Sequence, residues 1–179
     1  MTAADTNHRK TRQRLLEAAC EVFAGKGYSD ATIAEISERA GANIAAVNYY
    51  FHDKETLYVE AWRLAFQRSL EAHPPEGGIA SDASPEERLR GRILALMRRI
   101  VDPESQEFDI VLKELANPTG LLRKVMRESI EPLRRELNAI VRELLGTGAS
   151  ERRIRLHGMS ILAQCFHLMT PASHGMQGG

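Results

Sequence analysis

TRQRLLEAACEVFAGKGYSDATIAEISERAGANIAAVNYYFHDKETLY, residues 11–58, is the stretch that decides the fold. Leu15, Ala19, Val22 and Phe23 recur at helical spacing with charged residues between them, which predicts a helix from Arg9 to Gly25. The glycines of Gly25-Lys26-Gly27 suit a left-handed cap and should end it. Thr32 precedes Ile33-Ala34-Glu35, with Glu35 at the capping-box distance, so a second helix starts there and stops at Ala40-Gly41-Ala42. Asn43 can cap a third helix, Ile44 to about Tyr50, and Asp53 a fourth, through Leu57, Ala61, Leu64 and Ala65 to about Ala72. Three helices in quick succession, the last two short and joined by a glycine-bearing turn, have the layout of a helix-turn-helix.

The third helix has two unlike faces. Val47 and Phe51, four residues apart, should turn inward onto the first helix. The other face offers Asn43, Ile44, Ala45, Asn48 and Tyr49 and no charge at all. A solvated helix face normally carries charge, whereas a helix pressed into a DNA major groove has other needs. Alanines allow close approach and touch thymine methyls, and asparagine can pair with adenine. Charge agrees with placed contacts rather than a general field. The chain has 24 Lys+Arg against 24 Asp+Glu, and residues 1–55 carry a net charge of −1. Arg9, Lys10, Arg12 and Arg14 crowd the start, and Lys54 stands beside the third helix. A solvated helix start accounts for the opening run equally well.

At 179 residues the chain can hold one or two small helical units, and a multidomain enzyme is excluded. Cys20 and Cys165 fall in apolar helical stripes and read as reduced, buried thiols. Residues 1–14 contain no apolar core for a signal peptide and no stretch approaches a membrane span, so a soluble cytoplasmic protein is expected. The composition changes at His73, where HPPEGGIASDAS reads as a loop. Beyond it Ser84-Pro85-Glu86-Glu87, Asp102-Pro103, Asn117-Pro118 and Ser150 mark helix starts, Pro132 should kink the third of these helices, and the last should reach about Thr170. After Arg155 no Lys, Arg, Asp or Glu occurs. A final helix without charge must be covered, either by a second subunit or by the rest of its own chain.

About residues 10–58, with F-x-x-K-G-Y, T-x-x-x-I, A-G and Y-x-F-x-x-K-E-x-L, resemble the DNA-binding domain of TetR-family transcriptional regulators. The resemblance implies that Gly41 is the turn glycine, Val47 and Phe51 the inward pair, Lys54 a phosphate contact and Thr32 a hydroxyl meeting phosphate. AGANIAAVNYYF resembles the CecR-like branch, in which Asn replaces the commoner Tyr at position 48. Tyr50 departs from the frequent His, and a phenol still reaches a phosphate. KELANPTGLLRKVMRESIEPLRRELNAIVRELLG and RLHGMSILAQC are similar to the same branch. Family members have helical C-terminal domains that bind varied small molecules and dimerise through their last two helices. Full members continue with another long helix, whereas this chain ends in PASHGMQGG, so a reduced dimer interface or a shortened end is expected.

The expectation is an all-α protein with a helix-turn-helix DNA-binding domain over residues 1–55 and a helical regulatory and dimerisation domain over 56–179. Asn43, Ile44, Ala45, Ala46, Asn48, Tyr49, Tyr50, Thr32 and Lys54 form the DNA surface, with Asn43, Ala45, Ala46 and Asn48 on bases. Trp62, Phe66, Met97, Phe108, Met126, Met159 and Met169 are candidates for lining an effector pocket, since Met adapts to varied shapes, although the same spacing also suits plain core. The function is then a ligand-responsive repressor binding a palindromic operator as a homodimer, without membrane association. The alternative is a helical protein-interaction module that binds no DNA. No glycine-flanked nucleophile, phosphate loop or paired-carboxylate motif supports catalysis. His157, His167 and Cys165 lack convergent spacing for a metal and read as core. No cofactor is expected beyond an effector.

Overall fold

The computed structural model describes residues 3–167. Among them all regular structure is helical: α1 (Ala3–Asp30), α2 (Ile33–Arg39), α3 (Ile44–Phe51), α4 (Lys54–Ala72), α5 (Pro85–Val101), α6 (Gln106–Ala116), α7 (Leu122–Leu145) and α8 (Glu151–Phe166). Two compact units form, residues 1–68 with 105–125 and residues 69–104 with 126 onward. Compactness therefore does not follow a single cut between residues 55 and 56. The reason is α6, which packs along α1 and joins the first unit although it follows α5 in the chain.

In the first unit Leu15, Ala19, Val22 and Phe23 of α1 are buried, together with Ile36, Val47, Phe51, Leu57, Tyr58, Ala61 and Trp62. The Cys20 thiol donates to the Ala61 carbonyl at 3.2 Å, and burial pushes its pKa up to about 12. α1 runs past Gly25 and breaks at Gly27, which has φ 79° and ψ 178°. A Cβ at Gly27 would stand 3.3 Å from Lys113 Cβ of α6, so both the backbone conformation and the neighbouring helix select glycine there.

α2 starts where Thr32 Oγ1 accepts the Glu35 amide at 3.1 Å. The reciprocal half of the capping box is absent because the Glu35 carboxylate pairs with Lys26 at 2.8 Å instead. At its other end Gly41 (φ 57°) takes the left-handed position. Ala42 N donates to Ser37 O at 2.9 Å and Gly41 N to Glu38 O at 3.0 Å, the two bonds of a Schellman motif. Asp53 caps α4 by accepting the Thr56 amide at 2.7 Å.

Two helix starts come later than their proline signals. Asp102 closes α5 and accepts the Glu104 amide at 2.9 Å, which holds a turn until Ser105 opens α6. Glu114 accepts from Thr119 N (3.1 Å) and Gly120 N (2.9 Å), which keeps residues after Asn117-Pro118 in a loop until Leu122. α7 continues through Pro132 to Leu145.

In the second unit Ser84 and Glu87 form a complete capping box at the start of α5. Leu137, Val141 and Ile154 make a core against which Leu89, Leu145, Ile161 and Leu162 pack. Arg88–Glu143 and Arg92–Glu136 pairs join α5 to α7. Ser150 caps α8 through the Arg153 amide. Cys165 is buried, as expected, but His157 and His167 are exposed rather than core, because α8 turns that side outward. The expected end of this helix at Thr170, with Leu168, Met169 and the segment PASHGMQGG, lies outside the described residues. No described helix is long and apolar enough to cross a membrane.

Candidate nucleic-acid interface

Asn43 sets the start of α3: its Oδ1 accepts the Ala45 amide at 2.9 Å. With the register fixed there, Val47 and Phe51 fall inside and are fully buried. Asn43, Ala45 and Asn48 are exposed, Ile44 is 51% exposed and Tyr49 67%, while Ala46 and Tyr50 are half-buried. One uncharged face of α3 thus stands clear of the fold with two large apolar side chains on it, an arrangement costly in water and suited to a groove. The Asn43 oxygen is engaged as a cap, which leaves its NH2 group as the outward donor and Asn48 as the residue with a whole carboxamide to offer.

The flanking donors are placed around this face. Thr32 is exposed, and its oxygen accepts the Glu35 amide, so its O–H remains free to donate outward. Lys54 Nζ lies 4.4 Å from the centroid of the Tyr28 ring, and desolvation there lowers its pKa, opposed by the charge of Asp30. Tyr28 in turn lies against Tyr58 at 5.2 Å, and Tyr58 donates to Glu114 at 3.1 Å. Burial and the Glu114 carboxylate both push the Tyr58 phenol up.

Not every basic residue at the start of α1 faces outward. Arg12 lies 4.9 Å over the Phe51 ring and pairs with Glu60 at 3.3 Å, so it braces α1 against α3 and α4. His8 reaches the tyrosines of α3, with centroids 5.8 Å from Tyr49 and 6.0 Å from Tyr50. Neither His8 nor Tyr28 stood out as functional in the sequence. Tyr28 lies within F-x-x-K-G-Y, where its spacing from Lys54 gives no hint of contact, and His8 precedes the first apolar stripe.

The residues expected to line an effector pocket do not form one set. Trp62, Phe66 and Phe108 are buried in the first unit, where Trp62 and Phe66 stack at 5.1 Å. The Trp62 indole N–H has no hydrogen-bond partner among the described residues. Met97 and Met126 are half-buried in the second unit, and Met159 is 60% exposed on α8 and lines nothing. A cleft of about 200 Å³ in the second unit is lined by Glu76, Ile79, Arg88, Arg92, Glu136 and Ile140 among others, and by none of these six; Met169, the seventh candidate, lies outside the described residues.

Residues 15–61 match the model of bacterial regulatory proteins of the tetR family, and residues 85–174 match the C-terminal domain of the HTH-type transcriptional dual regulator CecR. The HTH-type transcriptional regulator SrpR of Pseudomonas putida is 32% identical over 126 residues, 70% of this chain and 55% of SrpR. The uncharacterized HTH-type transcriptional regulator TtgW, also of Pseudomonas putida, is 32% identical over 126 residues, 70% of this chain and 88% of TtgW. Among solved structures, AibR in complex with isovaleryl coenzyme A and operator DNA superposes with a TM-score of 0.70 at 19% identity, covering 88% of this chain and 85% of AibR, a likeness of fold. With both its helix-turn-helix and its C-terminal half matched, this chain belongs to the TetR family of bacterial regulatory proteins.

Proposed function

We propose that the chain is a cytoplasmic, ligand-responsive repressor that binds a palindromic operator as a homodimer. The observation that carries this reading is the uncharged, outward face of α3 above a buried Val47–Phe51 pair. Asn43, Ala45, Ala46 and Asn48 meet base edges, Ile44 belongs to the same DNA surface, and Thr32, Tyr49, Tyr50 and Lys54 hold phosphates on either side. Residues 1–55 supply DNA binding and 56–179 regulation and dimerisation.

The exposed Leu156, Met159 and Phe166 of α8 support dimerisation through the C-terminal helices. Isovaleryl coenzyme A in the AibR complex supports a small-molecule effector as a class. Trp62, Phe66, Met97, Phe108 and Met126 remain the side chains proposed to respond to it, and Met159 moves from that set to the dimer face. α4 starts one residue after the Asp53 cap and carries Lys54 and Trp62 on one rigid element, so an effector that tilts it shifts both. Coupling of this kind typically amounts to about 1–3 kcal/mol, or about 5–150-fold in operator affinity.

Selection of bound duplexes from a random pool tests the reading. The expected product is a palindrome whose half-sites are centred about one helical turn apart, roughly 34–36 Å. Recovery of no duplex above background refutes it and leaves a protein-interaction module.

A further inference from the structure

We propose that His8 of α1 is a positioning residue that holds the Tyr49 and Tyr50 hydroxyls for phosphate contact. The proposal rests on the operator-binding reading above. The three rings close a triangle: His8–Tyr49 at 5.8 Å and 67°, His8–Tyr50 at 6.0 Å and 78°, and Tyr49–Tyr50 at 4.9 Å and 84°. Every side is edge-to-face, the arrangement that ring quadrupoles favour.

Helix geometry alone does not hold this pair. Tyr49 and Tyr50 are sequence neighbours whose side chains leave a helix about 100° apart, so α3 itself offers them only each other's ring edge at 4.9 Å and, for Tyr50, the Phe51 ring at 6.4 Å. Tyr49 is 67% exposed and Tyr50 only half-buried, so their own helix leaves much of each ring in solvent. His8 comes from another helix and meets both rings.

Its place is set by the core below. Arg12 follows His8 by one turn on the same side of α1 and is fixed by the Phe51 ring and Glu60. That anchorage aims the preceding turn of α1 at the outward end of α3. His8 itself is exposed and lies nearly two turns before Leu15, the first buried side chain of the α1 stripe, so core packing does not account for it. Two phenols ordered before binding lose less rotamer freedom on meeting DNA, and the gain is independent of base sequence because phosphates carry none.

The test measures affinity of the full chain for the duplex recovered by selection, and for a scrambled duplex, at fixed salt. His8→Ala is expected to bind both about 3–10-fold more weakly. His8→Phe, which keeps the ring and removes its N–H groups, should remain within about twofold of wild type. In a Tyr49→Phe/Tyr50→Phe background the loss on His8→Ala should vanish, because the positioned hydroxyls are gone. Matching helical circular dichroism and melting temperature of all variants separates positioning from folding.

Three results overturn the proposal: unchanged binding by His8→Ala, His8→Phe as weak as His8→Ala, or an equal His8→Ala loss without the hydroxyls. The second would make the imidazole N–H itself the contact. If Lys54→Ala weakens binding while His8→Ala does not, only the positioning role fails. If wild type recovers no duplex, the operator reading and this proposal fall together.

Discussion

The Lys54 ammonium sits 4.4 Å from the centroid of the Tyr28 ring, joining the first residue of α4 to the segment just after the break in α1. A lysine on a flexible stem is thereby held at one place beside α3, with one side of its charge on an aromatic face and the rest available. A cation–π contact at such a half-exposed site contributes about 0.5–1 kcal/mol.

Lys54→Ala should accordingly weaken binding to operator and unrelated duplexes alike and reduce the slope of log K against log salt by about one unit. Tyr28→Leu should leave that slope intact and weaken binding by only about 2–5-fold, since the charge stays and its placement is lost. Titrations at three salt concentrations check both. A change in base preference with an unaltered salt slope for Lys54→Ala would contradict the phosphate role.

His52, between α3 and α4, has φ 67° and ψ −48°, and Asp53 N donates to Phe51 O across it at 2.8 Å. This is a γ-turn at positive φ, a strained form for a residue with a side chain, costing about 1–3 kcal/mol. Glycine removes the strain and adds about 0.5–1 kcal/mol of backbone entropy cost. His52→Gly should therefore stabilise the chain by about 0.5–1 kcal/mol in urea unfolding. His52→Val, with branching at Cβ, should destabilise it by about 1–2 kcal/mol. A lower unfolding midpoint for His52→Gly would show that the turn is not strained.

The parts of this fold legible in the sequence are those settled within a few residues. Thr32, Asn43, Asp53, Ser84 and Ser150 each cap a helix through an amide two or three positions on, so residue type and spacing suffice. Val47 and Phe51 were legible because a helical period fixes a face. The late start of α7 was not legible, because residue type and spacing do not announce that the Glu114 carboxylate turns forward to hold the Thr119 and Gly120 amides. The same holds for the proposed pocket. Met97, Met126 and Met159 share a residue type, yet Met159 faces solvent, because α8 buries Ile154, Gly158 and Cys165 on its other side.

Asp102 supplies a pH dependence with a definite sign. Its carboxyl is held below the usual carboxylate range, chiefly by the Glu104 amide at 2.9 Å and then by the His73 ring nitrogen at 2.8 Å. The unfolded chain binds this proton near the ordinary value of about 3.9, the folded chain only at lower pH. The stabilisation is complete above that ordinary value and is lost as pH falls through the folded value. Asp102→Asn keeps an acceptor for the Glu104 amide and removes the titration. Urea midpoints between pH 5 and pH 2 should fall less steeply for the variant, and parallel curves would remove Asp102 from the acid response.

The exposed side of α8 yields the prediction on assembly. Leu156, Met159 and Phe166 are 52%, 60% and 40% exposed, and with the exposed Ala163 they recur at intervals of three and four, a seam of the kind that faces a partner helix. Nothing charged lies on it, since Arg155 is the last charged residue of the helix. Met159→Arg places an unpaired cation at the centre of that seam, where burial against a partner is disfavoured by several kcal/mol and the charge keeps to water. Sedimentation velocity at micromolar concentration should show a dimer for wild type and a monomer for the variant, with helical circular dichroism unchanged because position 159 is already exposed. Arg153→Ala, on the same helix but about 100° round from the centre of the seam, should remain dimeric. Operator affinity of Met159→Arg should fall by about 10²-fold or more while a single half-site binds as before, because the two-site advantage is lost with the partner. A Met159→Arg chain that sediments as wild type would place the subunit contact elsewhere.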